Sequence, residues 1–176
     1  MSTPYQFPVW NAGQSITAGQ LTQMEPQFIV TPTTTTRAST TTMANDPFLQ
    51  FQVTAGGVYV VEFEVGYTGL SAAGIATMWN VPSGTNGFRS GIGPGSTSSN
   101  ANADNIAAHL GAFTYNIVVA YGCPRNSTSL NEFLRETSAF TAGSTGTVAL
   151  AWAQATSNAT GTTVQAGSWA RCTQLQ

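Results

Sequence analysis

TGTVALAWAQATSNATGTTVQAGSWARCTQL, residues Thr145 to Leu175, is the stretch whose reading decides the fold. Val148, Leu150 and Trp152 alternate in it with Ala149, Ala151 and Ala153, the period of two of a strand whose faces meet different surroundings. One face is bulky and the other is small. Ala155 to Thr163 is a run rich in Ser, Asn, Thr and Gly, whose side chains bond nearby backbone and favour turns over a continued ladder. A second strand is predicted from Ser168 to Leu175, so the stretch reads as a closing hairpin.

The same period recurs upstream. In VYVVEFEVGY (58–67), Tyr59, Val61, Phe63, Val65 and Tyr67 share one face and Glu62 and Glu64 the other. Leu49, Phe51 and Val53 alternate with Gln50 and Gln52, and Ile75, Thr77, Trp79 and Val81 keep one register. PQFIVT (26–31) predicts a short strand, and the threonines that follow it, up to Met43, suit an exposed strand. Asn45-Asp46-Pro47 is a turn signal. The reading places one strand from His109 through Tyr121, another from Leu130 to Phe140, and a long irregular insertion over Gly84 to Asp104, rich in Gly, Ser and Asn. Roughly eight to ten strands with frequent turn signals, and no amphipathic helix of useful length, predict an all-β, antiparallel, jelly-roll-like β-sandwich over residues 26–176.

Residues 1–25 differ in character. Tyr5, Phe7, Val9 and Trp10 are interleaved with Pro4 and Pro8, which extends the backbone and leaves large side chains without local partners. Thr17-Ala-Gly-Gln20 has capping-box spacing and predicts a short helical turn presenting Leu21 and Met24 before Pro26. This segment is expected to be an extended attachment arm whose anchors are Phe7, Trp10, Leu21 and Met24. The first ten residues have neither the basic nor the apolar region of a secretory signal, so synthesis in a cytoplasm is expected. No apolar run is long enough to cross a bilayer.

Charged residues make up 7% of the 176 positions, against about 25% in a typical soluble domain. There is no Lys, and Arg37, Arg89, Arg125, Arg135 and Arg171 are scattered, so no basic stripe exists to neutralise phosphates. Nucleic-acid and membrane partners are not expected. With a net charge of −2, solubility rests on amides and hydroxyls or on being covered in an assembly, and the second is favoured. Cys123 and Cys172 are too few for a disulfide framework and read as two thiols, one of them strand-borne and buried, with their pairing left open.

Candidates for chemistry are few. Glu62 and Glu64 share a strand face at a spacing that does not by itself exclude a glycosidase pair, but nothing in the chain supplies the cleft such a pair needs. His109 is the only histidine and has no cysteine near it for a zinc site. The Gly-rich insertion lacks GxxxxGK[ST]. Catalytic residues, metal ligands and cofactors are therefore not expected. Trp79, Phe88 and Trp169 could form a stacking platform for a glycan, and the small face of Ala149, Ala151 and Ala153 permits close approach of a second layer or of neighbouring subunits around an axis. Trimerisation is the corresponding expectation.

The closing run, through Trp152-Ala153-Gln154 and Gly167-Ser168-Trp169-Ala170-Arg171, resembles the end of small structural proteins of tailed bacteriophages infecting actinobacteria. ITAGQLTQMEP (16–26) resembles the linker before such domains, and residues 37–65 resemble their first two core strands. The resemblance spans about three quarters of the chain and implies a virion role rather than a reaction. Such proteins are capsid decoration proteins, head fibres and minor tail proteins, often trimeric. It implies as partners further copies of the chain and the major capsid or tail protein, with a host-surface glycan as an alternative ligand.

Overall fold

The structure is a computed structural model that describes residues 12–18, 25–96 and 108–175, without the side chains of residues 108–110. Its strands are β1 (Gln27–Val30), β2 (Thr35–Arg37), β3 (Ala44–Val53), β4 (Val58–Gly69), β5 (Ile75–Asn80), β6 (Arg89–Pro94), β7 (Ala108–Phe113), β8 (Val119–Tyr121), β9 (Ser127–Thr141), β10 (Gly146–Ala153), β11 (Thr162–Val164) and β12 (Trp169–Gln174). The larger sheet has the order β1-β12-β4-β9-β6-β7, with β11 bridging β4 and β2. The smaller has the order β3-β10-β5-β8. The chain is an antiparallel β-sandwich. From β3 to β6 successive strands alternate between the sheets, and they do so again from β7 to β11, in the manner of a jelly roll.

β4 shows why the residues choose these positions. Tyr59, Val61, Phe63, Val65 and Tyr67 are all buried, while Val60, Glu62 and Glu64 between them are not. On the inner side Phe63 meets the edge of Trp79 from β5, with ring centroids 4.8 Å apart at 88°. Leu49, Leu134, Val148, Leu150 and Trp152 complete the centre with no measurable exposure. Burying each such side chain contributes about 1.5–3 kcal/mol.

The closing stretch folds differently from the expected hairpin. β10 lies between β3 and β5 in the smaller sheet, whereas β12 lies between β1 and β4 in the larger one. The Ser/Thr/Asn run carries the chain across the sandwich and includes the short strand β11. Amphipathic alternation sets which face a strand buries, and both sheets offer such a face, so the period alone does not choose the partner.

Four other expectations are corrected. Asn45-Asp46-Pro47 lies inside β3, where the register against β10 shifts between Ala149 and Ala151. There Asp46 Oδ1 accepts the Phe48 and Leu49 N–H groups, so the turn signal marks a bulge within a strand. The threonine segment holds only the three-residue β2. The expected strand from His109 through Tyr121 is two strands, β7 and β8, separated by a turn at 114–118. Part of the expected insertion at Gly84 to Asp104 is β6. Residues 97–104 of that insertion lie outside the described residues, as do Phe7, Trp10, Leu21 and Met24.

Candidate interaction surface

The outward residues of the larger sheet line up across its strands. One row runs Val30, Trp169, Glu64, Arg135, Ile92, and the next runs Phe28, Arg171, Glu62, Thr137, Ser90. The middle of this face is an ion-paired lattice. Arg135 pairs with Glu64, and its Nε lies 3.3 Å from Glu62 Oε1, while Arg171 Nη2 reaches Glu62 Oε2 at 2.9 Å. The Trp169 indole N–H donates to Glu64 Oε1 at 3.3 Å. Neighbouring Glu64 raises the Arg135 pKa further, chiefly through their hydrogen bond. Both carboxylates are thus satisfied by arginine on an open sheet surface.

Apolar groups flank the lattice. On the β1 side, Phe28 stacks on Trp169 with centroids 5.3 Å apart at 16°, and Phe28 and Val30 are both exposed. On the β9 and β6 side, Phe133 and Ile92 are exposed, and a recess of about 250 Å³ opens among Ile92, Ser90, Arg135 and Thr137. Exposed apolar groups of this size on one sheet face mark a candidate docking surface, here with the charges at the centre rather than at the rim.

A second polar group is sealed inside. Arg89 on β6 pairs with Glu136 on β9, and neither side chain is exposed. Glu136 also accepts from the Thr77 hydroxyl (2.6 Å), the Trp79 indole N–H (2.6 Å) and the Tyr121 hydroxyl (2.9 Å), all three from the smaller sheet. Burial, then the facing Glu136 carboxylate, drive the Tyr121 pKa far above its usual value. Arg89 Nη2 in turn donates to the Thr77 and Ile117 carbonyls at 3.0 and 2.7 Å. This hub fastens one sheet to the other.

The residues singled out from the sequence fall in separate places. Trp79 is 1% exposed in the core, Phe88 is 63% exposed beside β6, and Trp169 is half-buried on the outer sheet face. They do not make one stacking platform. Ala149, Ala151 and Ala153 have no exposed surface within the single chain, so their face is closed before any neighbouring copy arrives. The small side chains there let Asn80 Nδ2 on β5 reach Asn45 Oδ1 on β3 across the intervening β10. His109 lies in β7, with its side chain outside the described residues. Cys123 and Cys172 are free and buried, and burial pushes both thiols up to about 12. Sequence reasoning missed the buried hub and the flanks of the outer face, although Phe28 and Val30 already share a register in PQFIVT.

No family model matches the chain, and no curated protein matches it. Among solved structures, that of the infectious bursal disease virus Gx strain matches at 11% identity and a TM-score of 0.22, over 85% of this chain and 41% of the viral one. This chain thus spans less than half of the viral chain's length, and at that TM-score the likeness has no bearing on what it does. No helix among the described residues is long and apolar enough to cross a membrane.

Proposed function

We propose that this protein is a non-enzymatic structural component of a bacteriophage virion, displayed on the particle surface and attached through residues 1–25. The observation that carries this reading is the outer face of the larger sheet. It is broad and open, and it joins exposed Phe28, Val30, Phe133 and Ile92 to an ion-paired centre. Its exposed apolar groups suit docking against protein better than turnover of a substrate. Glu62 and Glu64 support the same conclusion, because each is held by arginine on an open sheet face. The resemblance of residues 145–175 to actinobacteriophage structural proteins supplies the virion.

Within the virion, capsid decoration or a head fibre is the favoured role, with a minor tail protein as the alternative. The partners are then the major capsid or tail protein and further copies of the chain, three being the number the resemblance implies. Deleting residues 1–25 should abolish incorporation into particles while the sandwich keeps its circular dichroism and melting temperature. Incorporation of the truncated chain at the wild-type copy number would contradict the proposal.

A further inference from the structure

A second site lies away from the docking face, where the connection between β5 and β6 (81–88) meets the turn between β7 and β8 (114–118). A cavity of about 340 Å³ opens there, and no residue lining it carries a charge. Among its lining residues, Trp79 and Tyr115 stack on each other with centroids 5.9 Å apart at 23°, and both are buried. Its polar lining consists of the amides of Asn80, Asn86 and Asn116 and the hydroxyls of Thr85 and Thr114. Each of these groups both donates and accepts.

The walls are fixed from several sides. The Trp79 backbone N–H donates to the Tyr115 carbonyl at 2.9 Å, and Arg89 holds the Ile117 carbonyl. The Tyr115 and Ser138 hydroxyls lie 2.9 Å apart, and Ser138 Oγ donates to the Phe88 carbonyl at 2.8 Å. Gly87 has φ +148°, and a Cβ there would lie 2.5 Å from the Tyr115 hydroxyl, so glycine is required for this closure. Arg89 of the buried hub thereby braces the 114–118 wall, and Ser138 braces the 81–88 wall. Part of the polar lining is already used: Asn80 donates to Asn45, and Thr114 donates to Asn116 Oδ1 at 3.0 Å. The Asn116 amide nitrogen and the Asn86 side chain make no hydrogen bond to the described residues.

We infer that this cavity binds an uncharged polyhydroxylated ligand, a sugar ring of a glycan. A charged ligand would lose hydration with no counter-charge to meet it. A purely apolar ligand would leave the amides of Asn86 and Asn116 desolvated and unpaired. A sugar ring offers hydroxyls that donate and accept around its rim, together with an apolar C–H face, and the volume, at the low end of ligand pockets, has room for a single ring and little more. The inference does not depend on where the chain sits in a particle.

The test uses the purified full chain and saturation-transfer NMR with glucose, galactose, mannose, arabinose and N-acetylglucosamine, with glucuronate as the charged comparison. At least one neutral sugar should bind, more tightly than glucuronate. Asn86→Ala and Asn116→Ala, both at exposed positions, should each weaken that binding about fivefold or more with the fold intact. Trp169→Ala, on the outer sheet face, should leave it unchanged. Absence of binding by all five neutral sugars, or binding indifferent to both asparagine substitutions, would overturn the inference and leave the virion role untouched.

Discussion

Arg89 and Glu136 form an ion pair between β6 and β9 in which neither side chain has exposed surface. Four donors from three strands converge on this one carboxylate, three of them from the opposite sheet. Removing one partner leaves the other charge buried and alone. Glu136→Ala should therefore cost about 3–5 kcal/mol in urea unfolding. The double variant Arg89→Met with Glu136→Leu should recover a large part of that loss, which a double-mutant cycle measures. Equal losses in the single and double variants would show that the charges themselves matter less than the space they fill.

The outer lattice should behave in the opposite way. Glu62 and Glu64 face partly exposed arginines on an open surface, where ion pairs contribute roughly 0–1 kcal/mol. Glu62→Gln and Glu64→Gln should each change the free energy of urea unfolding by less than about 1 kcal/mol. Raising the salt concentration should narrow even that difference.

The alanine face is internal to the chain, and its small side chains sit beneath the Asn45 to Asn80 bridge. Ala151→Leu should destabilise by about 1–3 kcal/mol through overpacking. The sedimentation coefficient of the folded fraction should stay the same. A change of oligomeric state without loss of stability would return this face to a subunit interface.

Cys123 and Cys172 should resist alkylation by iodoacetamide at pH 8 in the folded protein and react in urea. Burial pushes both thiols up to about 12, whereas in the unfolded chain they ionise near the ordinary thiol value of about 9. The unfolded state therefore loses these protons first as pH rises. The native thiols contribute no pH dependence below the unfolded value, and stability falls across pH 9 to 12 by up to ~1.4 kcal/mol per pH unit for each thiol. Stability that stays flat across that window would contradict the assignment.

Much of the sandwich was legible in the sequence because bulky residues alternate where a strand has one buried face. β4 is the clearest instance, with its inward aromatics and outward glutamates both in the expected places. β6 was hidden for a physical reason. Its inward positions are Gly91 and Gly93, and a Cβ at either would lie 2.2 or 2.6 Å from the Tyr121 side chain, so another strand supplies the bulk that would have marked it. Its remaining inward residue, Arg89, is charged and reads as surface until Glu136 is placed beside it. The cavity was equally invisible, since Asn80, Asn86 and Asn116 belong to segments that only the fold brings together. The hairpin expectation failed at the choice of sheet rather than at the existence of its strands.

The virion role is tested most directly by a reconstruction of the phage particles purified from cells in which this chain is made. The account predicts sandwich-shaped density on the outer surface, joined to the shell or tail by density for the residues before Pro26. Purified particles that contain no copy of the chain would contradict it.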